Sequence, residues 1–163
     1  MSRREVQWKF VQHSVPHLAH YVESRFAAHE HHVLATIRSD GSPRVSGTNV
    51  MFTDGTLWIG MMPSAQRLHD LRRNPSCALH SAPLNEKLPE GEGDVRLNAI
   101  ARELLGDERD HIFRSHFPDA NDVMPGNFFE LLVTEFSVVE VREEEIVLTH
   151  WTEEGGVAIS RHH

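Results

Sequence analysis

The chain has 163 residues, 39% of them hydrophobic and 25% charged, with a formal net charge of −8: enough to bury one core, too short for two ordinary domains, and outside the range of disordered sequences. The acidic balance argues against a nucleic-acid surface, which draws its affinity from clustered Lys and Arg, and the single cysteine, Cys77, excludes an internal disulfide and a Cys-based zinc site. No run approaches the roughly 18 apolar residues that a membrane helix needs and no apolar stretch follows the basic residues of the amino terminus, so a cytoplasmic protein without membrane contact is expected.

In chain order, Ser14-Val15-Pro16 offers a cap and a first-turn proline, and Leu18, Val22 and Phe26 recur at four-residue spacing, which predicts an amphipathic helix over 16–29. The run His29-Glu30-His31-His32 lacks the spacing of a zinc site, so no metal is expected. From His32 the pattern changes to short β-rich runs at 32–38, 43–53 and 56–62, separated by Asp40-Gly41 and Asp54-Gly55, which predicts a three-stranded antiparallel meander. On the second run Arg44, Ser46 and Thr48 share one face, which is either a ligand wall or a solvent-exposed edge. A short helix follows in Ser64–Arg73, with Ser64 placed to cap it and Asn74-Pro75 to stop it. Ser64, Gln66 and Arg67 gather donors at its positive end, and Arg67, Arg72 and Arg73 make a basic island in an acidic chain. That island is either a phosphate cradle or a solvated helix face.

Beyond this lie a strand at 76–82 carrying Cys77 as core packing, a polar loop at 83–93, a strand at 94–105 and a helix at 107–117. Strands at 128–142 and 146–151 follow, and then a glycine-bearing tail at 152–163. Six or seven antiparallel strands with inserted helices amount to one small mainly-β domain over 1–163, closed into a barrel because closure disposes of sheet edges.

Residues 32–82 are more specific. The order strand, Asp40-Gly41-Ser42-Pro43, strand, Asp54-Gly55, strand, Ser64-x-x-Arg67 with Leu68 and Leu71, Asn74-Pro75, strand resembles the pyridoxamine 5'-phosphate oxidase-like split barrel, a Greek-key-like FMN-binding fold. The resemblance implies a homodimer with FMN at the subunit interface, the deazaflavin F420 being the alternative. It implies a flavin-dependent oxidoreductase acting on a small organic substrate, or a non-catalytic flavin or haem binder. Carried over, Arg44 and Arg67 pair with the cofactor phosphate, Ser64 and Gln66 add hydrogen bonds, Ser46, Thr48 and Asn49 line the ring or its ribityl chain, and Gly60 and Met61 offer backbone to it. Trp151 and Arg161 stand ten residues apart, as do a Trp and an Arg that contact flavin in the genuine oxidases. Val157 and Ile159 replace the substrate-binding Arg and His found between those two, which argues against pyridoxamine-phosphate oxidation.

Overall fold

The structure, a computed structural model, describes residues 4–82 and 92–163, so most of the expected 83–93 loop lies outside the described residues. Pro16 does open a helix, α2 (Pro16–Ala27), but Ser14 does not cap it. Ser14 instead ends an unforeseen helix, α1 (Trp8–Ser14), and the residue between them, Val15, is the N-cap of α2 without a side-chain bond. Trp8 explains the extra turn. Its ring is fully buried against Phe52 and Phe136, and its indole N–H donates to Glu23 of α2 at 2.6 Å, so packing stabilises a helix too short to persist alone.

The expected 43–53 strand is two strands. β1 (His32–Ile37) pairs antiparallel with β2 (Pro43–Thr48) through the Asp40-Gly41 turn, whereas β3 (Met51–Thr53) pairs with β4 (Thr56–Met61) through Asp54-Gly55. Both residues of the second turn have positive φ, +49° and +78°, as a tight hairpin requires. The meander is therefore split: the sheet runs β2-β1-β5-β6-β7-β4-β3, with the two halves of the expected strand at opposite ends. The chain crosses from one end to the other at Asn49-Val50. Strand pairing does not close the sheet among the described residues, and the Gly47 carbonyl on β2 accepts from the Arg67 guanidinium.

The remaining elements are α3 (Gln66–Arg73), β5 (Ser76–His80), β6 (Gly93–Leu104), α4 (Gly106–His116), β7 (Asn127–Arg142), β8 (Glu145–Thr152) and β9 (Gly156–His162). Among the described residues nine strands replace the expected six or seven. One of the additions comes from the broken strand and the other from the tail, where β9 forms a hairpin with β8 and is exposed along its whole length. At the head of β6, Gly93 is obligatory, since a Cβ there would lie 1.9 Å from the Val139 carbonyl. The main core fills the sheet's concave side under α1 and α2, with Leu34, Leu57, Ile59, Val95, Phe136 and Trp151 each at most 2% exposed. Among the described residues no helix is long and apolar enough to cross a membrane.

Candidate functional site

A second, smaller apolar cluster lies on the other side of β4, made by Trp58, Leu104, Ile112, Phe113 and Phe128. It is not sealed. Trp58, Phe113 and Phe128 form one wall of a cleft of about 520 Å³, within the usual range of cofactor sites, whose other walls are the β2–β3 crossing, the end of β4 and the 117–125 segment. β4 builds both clusters because alternate residues of a strand point to opposite faces: Leu57 and Ile59 enter the core, Trp58 and Gly60 face the cleft side.

Local bonds hold these walls. Trp58 Nε1–H donates to Thr53 Oγ1 at 3.0 Å, and Thr53 Oγ1 shares a hydrogen bond with His116 Nδ1 at 2.7 Å. Burial lowers the His116 pKa, which favours the neutral ring. The 117–125 segment is fixed by Arg109, which donates to the carbonyls of Met124 (2.7 Å) and Gly126 (3.1 Å) while its guanidinium lies 4.6 Å above the Phe128 ring.

The polar end of the cleft belongs to Arg67. Its Nη1 donates to the Gly47 carbonyl and, at 3.4 Å, to Ser46 Oγ, while its Nε is sealed from water with no partner. Burial lowers its pKa, and no described carboxylate compensates. Every other described arginine except the exposed Arg38 and Arg114 meets a carboxylate. A half-buried guanidinium with an orphaned donor is an incomplete anion site, able to take an acceptor oxygen from an anionic ligand.

Of the residues singled out from sequence, Thr48, Asn49, Gly60, Met61 and Arg67 line this cleft, and Ser46 lies behind it through its bond to Arg67. Arg44 does not reach it: its Nε donates to Asp70 at 2.6 Å. Burial alone would raise the Asp70 pKa, but bonds from Arg44, Thr36 and Arg73 hold it down. Ser64 is exposed and does not cap α3, whose N-cap is Ala65, and Gln66 is exposed beside it; neither lines the cleft. Trp151 is a core residue, stacked on Phe136 at 5.2 Å, and Arg161 pairs with Glu145 at 3.2 Å on the exposed hairpin. Gly60 has a packing reason for its missing side chain, since a Cβ would sit 3.3 Å from the Phe128 ring. Sequence reasoning missed Trp58, Phe113, Phe117, Met124 and Phe128. The available signal was the aromatic pair in the 107–117 helix and Met124-Pro125 just before a strand.

A sequence profile described as pyridoxamine 5'-phosphate oxidase matches residues 19–142. The chain belongs to this family. No curated protein sequence matches it, but solved structures do. A pyridoxamine 5'-phosphate oxidase-related, FMN-binding protein from Nostoc punctiforme is 12% identical with a TM-score of 0.64, over 91% of this chain and 96% of that one. PhzG from Burkholderia lata, solved with tetrahydrophenazine-1-carboxylic acid, is 11% identical with a TM-score of 0.68, over 91% of each chain. A haem-binding protein from Mycobacterium smegmatis is 17% identical with a TM-score of 0.56, over 86% of each. At these identities the likeness establishes the split-barrel fold of the family and leaves the ligand to be argued from the cleft.

Proposed function

We propose that the chain is a cytoplasmic FMN-dependent oxidoreductase that acts on a small organic substrate, as a homodimer with the cleft at the subunit interface. The observation that carries the reading is Arg67, a half-buried cation with no described counter-ion at one end of an apolar cleft. FMN suits both ends of that arrangement, and when bound it supplies hydride or electron transfer. In this reading Arg67 holds the phosphate, with Ser46 steadying the guanidinium. Thr48 and Asn49 at the β2–β3 crossing meet the polar chain, and Gly60 and Met61 bring the end of β4 against the ring, opposite Phe113 and Phe117. The protein's contribution is placement and exclusion of water. Arg44 serves a different purpose, anchoring Asp70 so that α3 presents Arg67 to β2. F420 carries the same pairing of phosphate and flat ring and is the alternative cofactor.

Non-catalytic haem binding is the second reading, favoured by the haem-binding structural neighbours and by His31, Met62 and Met124 in the cleft wall. An absorbance spectrum of the purified protein, followed by titration with FMN, F420 and haem, separates the readings. Saturable FMN uptake at about one per subunit, with affinity well beyond the tens of micromolar that correspond to about 6 kcal/mol, is expected. A Soret band with no FMN uptake would put the haem reading first.

A further inference from the structure

Four methionines follow Met1 in the sequence, and all four, Met51, Met61, Met62 and Met124, line this one cleft. Their neighbours are aromatic. Arg67 is the sole charged side chain among the described lining residues, His31, Thr48 and Asn49 being the other polar ones. Met62, Phe117 and Met124 form the open rim, 64%, 40% and 56% exposed, an apolar mouth to the cleft. Thioether side chains are flexible and polarizable, and they repack around flat ligands of differing outline.

We infer that the substrate-binding part of the cleft takes uncharged, planar, apolar molecules and discriminates against both anions and amines. The inference rests on the proposed cofactor reading and adds the substrate class to it. Once an anion occupies Arg67, a carboxylate or phosphate on a second ligand finds no cation in the described walls. An ammonium group finds no carboxylate. Either charge would lose water without compensation on entering, whereas a neutral ring exchanges water for Met and Phe contacts.

Protein labelled with ¹³C at the methionine methyls reads this directly, because the four internal signals surround the site and single Met→Leu variants assign them. Three probes with one ring system, 2-naphthol, 2-naphthalenesulfonate and 2-naphthylmethylamine, are titrated in inorganic phosphate, with and without added FMN. Phosphate keeps an anion on Arg67 whether or not FMN is taken up, so the failure of the cofactor reading appears separately in the FMN titration. The expected result is a saturable shift of the Met62 and Met124 methyls by 2-naphthol, with affinity about tenfold or more above either charged probe, the scale of an unpaired charge or polar group. Introducing Met124→Arg is expected to reverse the order for the sulfonate. Equal or tighter binding of a charged probe to the wild-type protein, or Met62 and Met124 methyls unmoved by 2-naphthol, overturns the inference.

Discussion

The two apolar clusters are built from the same kinds of side chain and share β4, yet one is closed and the other open. Around Leu34, Phe136 and Trp151 the curved sheet meets α1 and α2, and the interior is sealed. Around Trp58, Phe113 and Phe128 the covering element is α4 with the segment after it, which leaves a cleft whose mouth exposes Phe117 and Met124. Composition does not separate a core from a binding site here. What separates them is whether a covering element ends before the apolar surface does, together with a half-buried cation, Arg67, that meets no described carboxylate at the open side.

Truncation on each side gives the sharpest contrast. Trp8→Ala removes a fully buried indole and its bond to Glu23, and is expected to cost about 3–5 kcal/mol of stability, read as a lower urea midpoint at unchanged slope. Phe117→Ala, at the cleft mouth, is expected to stay within about 0.5 kcal/mol of wild type while weakening retention of a flat ligand. Comparable destabilisation by both would make the second cluster simply a second core.

The two arginines that the sequence could not tell apart provide the next test. Arg67→Ala leaves no described carboxylate without its partner, so stability is expected to hold while FMN affinity falls by about 1.5–3 kcal/mol, the worth of hydrogen bonds to a charged group. Arg44→Ala strips a partner from Asp70, which is 2% exposed, and is expected to cost about 1–3 kcal/mol of stability with a smaller effect on FMN. Fluorescence titration and urea unfolding of both variants read the two axes. If Arg44→Ala abolished FMN binding at normal stability, the phosphate would lie at Arg44 and the Asp70 pair would be a resting contact.

The contrast also explains what the sequence made legible. Turn chemistry at Asp40-Gly41 and Asp54-Gly55, alternation in 32–38 and the Asn74-Pro75 stop were local signals, and each matches its element within a few residues. The break at Asn49-Val50 was not local. Its residues are compatible with a continuous strand, and only pairing with β1 on one side and β4 on the other divides them. β9 was hidden because its partner is β8 and its faces are exposed, so no buried period marks it. The site was half legible: donors near a helix start suggested an anion, but Arg67 and Arg44 differ only through Asp70, 26 residues from Arg44, whose carboxylate is committed to one of them. The aromatic wall escaped notice because α4 packs its Phe113 beside β4 across a long stretch of chain.

The smallest expected effect is a dependence on pH, and it too assigns its origin to one side or the other. On the closed side, His32 is 2% exposed: its Nε2–H faces the carbonyls of Phe26 and His29 at 2.8 and 2.9 Å, while its Nδ1 accepts the Ala82 N–H at 2.9 Å. Protonation must break the Ala82 bond as well as place a charge in the core, and burial accordingly lowers the pKa. In the unfolded chain the ring takes its proton near pH 6.5. Below that pH the unfolded state therefore binds more protons than the folded one, so stability is fully present above about 6.5 and declines as the pH falls. The carboxylates with lowered pKa, such as Asp70 and Glu103, lose their contribution only in the more acidic range near and below their ordinary values. Urea midpoints at pH 7.5 and 5.5 are expected to differ in the wild-type protein and to differ less in His32→Gln. On the open side His116, also held neutral by burial, contributes in the same direction through Thr53. If His116→Gln flattened the profile and His32→Gln did not, the acid sensitivity would belong to the wall of the cleft, and lowering the pH would loosen the ligand site before it loosened the core.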